Sequence, residues 1–505
     1  MTVVNPNSIS GITSITMPSG GDNVLTIHTN DGIERFRIDS SGNVKVGSAA
    51  TISPDGDVFF TGVCTATTLA GAASGLTGAL PALDGSALTG VASTDNIRTN
   101  TDATFLKGVN VSGVATVGSA VTISESGIEA SGIGITCANI NGTQIGGRRN
   151  LVINGAMLVA QRSLSDTGNG YTTIDRVTHY RASVNENPTF SQSDVAAGTT
   201  PYTLGFRKAF KIQNGNQTGG IAASNQIQAD YRFEAQDIAN SGWDYTSSSS
   251  FITVSFWVKS SVSQDFKYHL RTTDGTNRNY HFNTGVLSAN TWTKIIKTIP
   301  GDSNITMNND NGVGMELMLF SQYGTNLTGS FTNNAWSNWS SSERTQDQTL
   351  TWYATDDATF EITGVQLEVG SQATPFEHRS YGEELKLCQR YFYMHAFTSN
   401  HSSSAPADSS AVGMAARYSQ TSFFGAIFFP VQMRSTPSFL KSIGTDHFIL
   451  LKEGSNDSFN DIAVQDMGIN SAIVNYYDGI NNSSQAGWVQ IENGYDGYIA
   501  FNAEL

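Results

Sequence analysis

The stretch from Phe360 to Tyr393 constrains the fold more than any other, because a strand, a break and a helix follow one another within it. Apolar and polar residues alternate up to Ile362 and alternate again from Val365, but in the opposite phase, with Gly364 at the change. A strand that changes phase at a glycine is typical of a β-bulge. The pattern therefore predicts one bulged strand that closes a β domain.

A short helix is predicted directly after this strand. Pro375 ends the extended run, and Ser380 stands three residues before Glu383, which is the spacing of a capping box. Apolar residues at helical spacing follow: Leu385, Cys388 and Phe392. We therefore expect a linking helix over residues 381–394.

Composition favours a mostly β chain. A length of 505 residues is enough for about three domains. Fifty glycines beside only 28 lysines and arginines favour short strands and turns over long helices. Residues 1–149 contain no Trp and no Tyr, so this region cannot enclose a large core of its own.

Short strands separated by turns are predicted within residues 1–149. The segments VLTIHT, IERFRID and NVKVG are separated by the turn signals Asp31-Gly32 and Ser41-Gly42. Residues 41–56 also resemble residues 112–127, which indicates an internal repeat. Repeated strands of this kind are stable when several chains wrap around one axis, so we expect a homotrimeric fibre shaft. The alternative is a flexible linker with scattered β structure.

The rest of the chain predicts two β-sandwiches. Residues 150–380 contain alternating apolar runs joined by polar loops, which is typical of an antiparallel sandwich. In one run, LGFRKAFKI, the spacing places Leu204, Phe206, Phe210 and Ile212 on one face. Residues 395–505 contain further strand patterns and form a smaller C-terminal sandwich at the tip.

Two segments resemble blocks found in bacteriophage tail fibre and tail-tip receptor-binding proteins. These are VQLEVGSQATPFEHRSYGEELKLCQRYF, residues 365–392, and NLVINGAMLVAQR, residues 150–162. The resemblance implies an elongated fibre whose residues 150–380 form a jelly roll similar to carbohydrate-binding modules. It also implies a virion protein made in the host cytoplasm and attached through its N-terminal region to other tail or adaptor proteins.

The function that follows is a viral adhesin for host recognition and attachment, which binds a bacterial surface glycan or protein. The alternative is a structural virion protein of the baseplate or decoration type without receptor binding. A polysaccharide depolymerase is less favoured, because no catalytic motif and no rung-like repeat around paired carboxylates is present. We therefore expect no enzyme activity and no catalytic residue.

The charge and the ligand residues exclude other classes. A formal net charge of −15 argues against nucleic acid and anionic membranes as partners. The apolar run 423–431 is too short to span a bilayer, and three widely spaced cysteines signal neither disulfides nor zinc. The loop 301–312 holds oxygen donors at Asp302, Asn304, Asn308 and Asp310, but their spacing matches no calcium loop. We expect no cofactor and no metal site.

Two polar stretches are candidate receptor-binding sites, because a sugar ring is held by an exposed aromatic side chain flanked by polar groups. The first, FTNNAWSNWSSS, contains Trp336 and Trp339, and the second, NYYDG, contains Tyr476, Tyr477 and Asp478 at a predicted turn. In the alternative interpretation, these aromatic side chains pin their own loops to the sandwich or face a neighbouring subunit.

Overall fold

The computed structural model describes residues 24–48, 50–61, 65, 149–398, 411–419, 421–452, 456–477, 486–492 and 497–505. The chain divides into two compact units, residues 1–122 and 123–505, each described here by itself. The described residues of both units consist mainly of strands, which confirms the predicted mostly β fold. The second copy of the predicted repeat, residues 112–127, lies outside the described residues. The same holds for the residues directly before the predicted domain boundary at residue 149.

The described part of the first unit is a five-stranded antiparallel sheet with strands in sequence order. Its strands are β1 (Leu25–His28), β2 (Glu34–Ile38), β3 (Val44–Val46), β4 (Ala50–Ile52) and β5 (Val58–Phe60). Gly32 and Gly42 turn the chain at φ +78° and +83°, values that glycine adopts without strain. The predicted hairpins are confirmed. Within this unit Phe59 and Phe60 stay 61% and 51% exposed, so the sheet leaves apolar surface uncovered.

Residues 149–380 form the predicted sandwich of two six-stranded antiparallel sheets. Sheet one has the order β17-β13-β12-β15-β10-β7, from β7 (Val177–Ala182), β10 (Gln226–Glu234), β12 (Asp265–Thr272), β13 (Arg278–Val286), β15 (Val313–Tyr323) and β17 (Ala335–Asn338). Sheet two has the order β14-β11-β19-β9-β8-β6, from β6 (Ser165–Asp166), β8 (Thr189–Asp194), β9 (Lys208–Gln213), β11 (Phe251–Ser260), β14 (Thr293–Pro300) and β19 (Thr359–Val369). The shorter elements are α1 (Thr200–Thr203), α2 (Ala235–Ala239) and a parallel pair, β16 (Thr328–Gly329) with β18 (Thr345–Gln346).

The sandwich core lies between the two sheets. Phe256 and Phe360 enter it from sheet two and Phe320 from sheet one, all nearly completely buried. The rings of Phe320 and Phe360 are 4.8 Å apart between centroids, a distance typical of packed aromatic pairs. Phe210 and Ile212 of β9 also lie in this core, as predicted. The prediction that Leu204 and Phe206 share their face is wrong, because both precede β9 and line a cleft outside this core.

The predicted bulge in β19 is confirmed. Ser255 pairs with Gln366 and Trp257 pairs with Thr363, so two residues of β19 oppose the single residue between them on β11. Gly364 is one of these two residues and has φ +64°. The bulge keeps both halves of β19 directed at the core despite the change of phase.

The linking helix α3 spans Tyr381–Gln389 and is shorter than predicted. Its capping box is confirmed, since the Ser380 side chain accepts from the Glu383 backbone N–H and the Glu383 carboxylate accepts from the Ser380 N–H. The prediction that the helix extends to residue 394 is wrong. Tyr391 is buried and its hydroxyl donates to Glu234 on the first sandwich, and the next residue, Phe392, begins a strand. Packing of this tyrosine ends the helical path.

The second sandwich begins at Phe392, three residues before the predicted boundary. A three-stranded sheet has the order β20-β29-β23, from β20 (Phe392–Thr398), β23 (Ser438–Lys441) and β29 (Gly497–Asn502). It faces a seven-stranded sheet with the order β25-β24-β28-β21-β22-β27-β26, from β21 (Ala411–Arg417), β22 (Ser422–Phe428), β24 (Phe448–Leu451), β25 (Asp457–Phe459), β26 (Ile462–Met467), β27 (Ser471–Tyr477) and β28 (Ala486–Ile491). The predicted C-terminal β-sandwich is therefore present.

Buried charges join the two sandwiches. The Glu504 carboxylate forms an ion pair with Arg176, and both side chains are at most 3% exposed. The Leu505 carbonyl oxygen accepts from Arg232 at 2.7 Å. The C-terminal residues of the second sandwich thus pack back onto the first, which explains why both belong to one compact unit.

Gly364→Ala should destabilise the second unit. The new Cβ would lie 2.6 Å from Phe206 Cζ at a backbone conformation that alanine disfavours, so we expect a loss of about 1–3 kcal/mol or more in unfolding free energy. Gly382→Ala in α3 is the matched control, because nothing lies within 4 Å of its added Cβ. Chemical denaturation gives both values, and an equal effect of the two substitutions would contradict the role of the bulge.

The burial of His179 predicts that the unfolding free energy of the protein falls in acid. Its ring stacks on Phe190 at 3.9 Å, and burial lowers its pKa from 6.5 to about 4. Between these two pKa values, His179 is therefore protonated in the unfolded chain but not in the folded chain. The stabilisation is complete above pH 6.5 and is lost as the pH falls towards about 4.

The comparison with His179→Gln isolates this effect. Between pH 6.5 and 4.5 the wild type should lose roughly 2 kcal/mol more unfolding free energy than the variant, which has no imidazole to protonate. Denaturant titrations at the two pH values measure the difference. Parallel curves for the two proteins would show that the His179 pKa is not lowered in the folded chain.

Candidate functional site

Trp336 lies on strand β17 rather than in the predicted loop, and it serves the core of the first sandwich. Its indole Nε1 donates to the Pro300 carbonyl oxygen at 2.8 Å, and its ring packs edge-on against Tyr280 at 5.3 Å. The indole is partly buried against the main core. This contact is the alternative role foreseen for the aromatic residues of this stretch.

Trp339 points to the other side of sheet one. The Arg271 guanidinium lies over its ring at 3.8 Å, a cation–π geometry, and Arg271 also pairs with Glu316 at 2.9 Å. The two tryptophans therefore do not form a joint platform. Trp339 is partly exposed, and its receptor-binding role stays a prediction.

Tyr476 is buried in the second sandwich, with 1% of its surface exposed. It lies on strand β27, and its ring packs edge-on against Phe459 at 6.3 Å. The prediction that Tyr476 is an exposed aromatic residue at a turn is therefore wrong, because the strand alternation turns its ring into the core. The backbone of Tyr477 pairs with Ser422, whereas its side chain and all of Asp478 lie outside the described residues.

The oxygen donors of loop 301–312 are used in turns and an ion pair. Asp302 pairs with Arg278 at 3.0 Å and accepts from the Asn304 N–H at 2.9 Å. Asp310 accepts from the Gly312 N–H at 2.9 Å. In the part of the chain that the structure describes, no three His, Cys, Asp or Glu side chains come together to hold a metal ion.

A different cluster of aromatic residues lines a cleft on the outer side of sheet two, which we call the aromatic cleft. Its volume is about 440 Å³. Its lining residues are Leu204, Phe206, Ser255, Trp257, Lys294, Gly364, Ala373, Thr374, Pro375, Phe376 and His378. They come from the loop after α1, strands β11, β14 and β19, and the segment before α3.

Trp257 forms the floor of the aromatic cleft. Its neighbours on β11, Phe256 and Val258, face the core, so the alternation of the strand directs Trp257 outwards. On the two flanking strands it pairs with Lys294 and Thr363. The indole is half-buried, and its exposed cross-strand neighbour Lys294 also lines the cleft.

Three rings form one wall of the cleft. Phe206 lies 4.9 Å from Phe376 and 5.1 Å from His378 between ring centroids. His378 Nε2 is 2.9 Å from the Leu204 carbonyl oxygen. Because a carbonyl oxygen only accepts hydrogen bonds, Nε2 is the donor in this contact.

The segment 371–378, which we call the strap, crosses sheet two and completes the cleft. Glu368 on β19 accepts from the Thr374 backbone N–H at 2.8 Å and from its hydroxyl at 2.6 Å. Gln366 accepts from the Glu377 N–H at 2.8 Å. These buried polar side chains on the outer side of β19 therefore hold the strap in place.

The two segments that resemble tail fibre proteins meet at β19 and α3, next to the strap. Asn150 Nδ2 donates to the Val365 carbonyl oxygen at 3.2 Å, and Asn150 Oδ1 accepts from the Leu367 N–H at 3.1 Å. The Asn154 N–H donates to the buried Glu384 carboxylate of α3 at 2.6 Å. Residues 150–162 and 365–392 thus form one packed structure around β19, the strap and α3.

The aromatic cleft has the chemistry that sugar binding requires. A half-buried indole offers an apolar face, whereas Lys294 and His378 at the rim supply exposed hydrogen-bonding groups. This site is not predicted from the sequence, because Trp257 stands within an apolar strand and the spacing of LGFRKAFKI places Phe206 on the core face. The one available signal was Trp257 at a polar position of the alternation.

Comparisons with known proteins give distant structural likenesses. A bacteriophage CBA120 tailspike protein 4 enzymatically active domain matches at 11% identity and TM-score 0.24, over 44% of this chain and 21% of the other. A putative sugar binding protein from Bacteroides thetaiotaomicron matches at 11% and 0.24, over 44% and 99%. The tandem carbohydrate-binding modules of Paenibacillus barcinonensis Xyn10C match at 10% and 0.20, over 65% and 93%.

No protein-family model and no curated protein matches the chain. TM-scores of this size do not establish a shared fold, and the chain spans about a fifth of the tailspike domain. The case for the cleft therefore rests on its own residues. Among the described residues, no helix is long and apolar enough to cross a membrane.

Trp336 and Trp339 should differ in their effect on stability. Trp336→Ala removes core contacts and the bond to Pro300, so we expect a loss of about 2–4 kcal/mol. Trp339→Ala removes one partly exposed cation–π contact, and about 1 kcal/mol is expected. Chemical denaturation of the two variants tests this, and an equal cost would mean that Trp339 is also a core residue.

Proposed function

We propose that this protein is a bacteriophage tail fibre or tail-tip adhesin that recognises a glycan on the surface of its bacterial host through the aromatic cleft. Its N-terminal region attaches to other tail or adaptor proteins, and the chain works as a homotrimer. No catalytic step is part of this proposal.

The aromatic cleft is the observation that carries the proposal. A chain with a net charge of −15 gains no general attraction to the anionic surface of a bacterium. Recognition must then come from stacking and directed hydrogen bonds. The Trp257 floor and the Lys294 and His378 rim supply both within one cleft.

The role in a phage tail is supported by the sequence resemblance and by how its two segments are used. Residues 150–162 and 365–392 are far apart in sequence, yet they pack together at β19 and α3, next to the strap that lines the cleft. Segments that build the frame of a binding site keep that frame while the exposed loops vary with the ligand.

The homotrimer is supported by the first unit. Its sheet leaves Phe59 and Phe60 more than half exposed. Apolar side chains on a sheet that cannot cover them are stabilised when another copy of the sheet packs on them.

Binding of the labelled full-length protein to host cells, with and without enzymatic removal of surface glycans, tests the function. Trp257→Ala and Lys294→Ala should each weaken binding, with about 1–3 kcal/mol lost for the stacking residue. Tyr180→Ala is the control, because this tyrosine is 43% exposed and lies outside the cleft. Because the Lys294 side chain is exposed, Lys294→Ala should fold normally, so a loss of binding in this variant would not be caused by misfolding.

The outcomes separate the candidate functions. Binding that survives glycan removal but needs Trp257 would indicate a protein receptor. Binding that is lost only in Trp339→Ala would place recognition at the site predicted from sequence. Absence of binding to host cells favours a structural virion protein, for which the uncovered apolar residues Phe59 and Phe60 are the supporting observation. Release of reducing sugar from host polysaccharide would indicate a depolymerase instead.

A further inference from the structure

The seven-stranded sheet of the second sandwich has an apolar side that faces away from its own core. Positions on this side alternate with buried residues such as Phe423, Val474 and Val489. We call it the outer face, and its residues on the four central strands include Met414, Ala416, Phe424, Ala426, Phe428, Ile473, Ala486 and Trp488.

These residues form a continuous surface. Met414 and Trp488 are directly opposite each other on β21 and β28, and Leu451 of β24 stands on the other side of Trp488. Ala416 pairs with Phe424, whose ring stacks on Tyr418 at 4.4 Å. Cross-strand neighbours of this kind lie within contact distance, so the apolar side chains are contiguous.

The exposed area is too large for isolated surface residues. Tyr418, Phe428 and Trp488 are 73%, 75% and 56% exposed, with Met414 at 57% and Ile473 at 40%. At about 150–250 Å² for an aromatic side chain, the three aromatic residues alone expose roughly 300–500 Å². With the other members, the face approaches the roughly 800 Å² per partner that a stable interface buries, whereas monomers rarely expose patches beyond a few hundred Å².

The area and the lack of charge on the central strands of this face fit a second copy of this chain as the partner. Each chain carries a formal net charge of −15, so two copies repel each other over most of their surface. The residues named above on the four central strands carry no charge, and alanines alternate with the large side chains among them. The exposed Asp466 stands at the edge of the face, on β26 opposite Ile473. Two such faces can meet along the four central strands without burying a carboxylate, which would cost several kcal/mol.

We propose that the outer face is a contact between copies of this chain, separate from any contact made by the first unit. It holds the C-terminal sandwiches together whether or not the aromatic cleft binds a glycan. The proposal adds a second assembly surface to the chain.

Hydroxyl-radical footprinting of the purified full-length protein, combined with sedimentation velocity, tests this. Oxidation of Met414 and Trp488 reports directly on the outer face. Tyr381, which is 57% exposed on α3, is the reference for free access, and the fully buried Met315 is the reference for protection. In the wild type we expect Met414 and Trp488 to react several-fold more slowly than their exposure in the single chain predicts.

The variant Phe428→Glu places a carboxylate on the outer face, and Val286→Glu is its matched control. The two side chains are 75% and 76% exposed, and Val286 lies on the first sandwich, so neither substitution disturbs a core. Phe428→Glu should restore oxidation of Met414 and Trp488, whereas Val286→Glu should behave like the wild type.

Three results would overturn the proposal. Free oxidation of Met414 and Trp488 in an associated wild-type protein would assign assembly to the first unit alone. Protection of both residues in a monomer would mean that the same chain covers the face. Unchanged protection and association in Phe428→Glu would show that the contact does not involve this surface. Each result is independent of the cell-binding assay.

Discussion

The side chain of Asn150 makes the contact on which the second unit depends. This amide is 1% exposed and bonds to the backbone of β19 on both sides of Gln366, donating to Val365 and accepting from Leu367. It acts like a short piece of an additional strand over the bulge. An amide with both a donor and an acceptor can do this, whereas a carboxylate or a hydroxyl cannot supply the same pair of bonds at this spacing.

Several other features follow from that contact. The Asn150 N–H donates to Glu377 at 2.7 Å, and its carbonyl oxygen accepts from Arg379 at 2.6 Å, so the same residue fixes the end of the strap. The strap in turn carries Phe376 and His378 into the wall of the aromatic cleft. Gly364 leaves room for the Phe206 ring on the same side of the sheet. The bulge, the strap and the cleft are therefore consequences of one arrangement around β19.

Each sandwich carries one of the two proposed surfaces. The aromatic cleft lies on the first sandwich and the outer face on the second, and the buried pair of Glu504 with Arg176 joins the two. An acidic chain gains nothing from like-charged contacts, so both surfaces use apolar and hydrogen-bonding groups. Ligand binding and association between copies can thus occur in the same molecule without competing for residues.

The sequence by itself determined the local elements: the hairpins at Gly32 and Gly42, the bulge at Gly364, the capping box at Ser380 and the alternation of the strands. Each depends on neighbours within a few residues, because backbone conformation, strand alternation and capping are local. Only the tertiary structure decided which aromatic residues are available. Alternation groups Phe206 with Phe210 and leaves Tyr476 at a polar stretch, but it does not say which side another segment covers. Phe206 lies in a cleft wall because the strap packs beside it and Gly364 leaves room for its ring. Tyr476 is buried because its ring packs against Phe459 in the core. The helix α3 ends where Tyr391 binds Glu234. These outcomes depend on contacts between residues that are distant in the chain, and no local pattern records them.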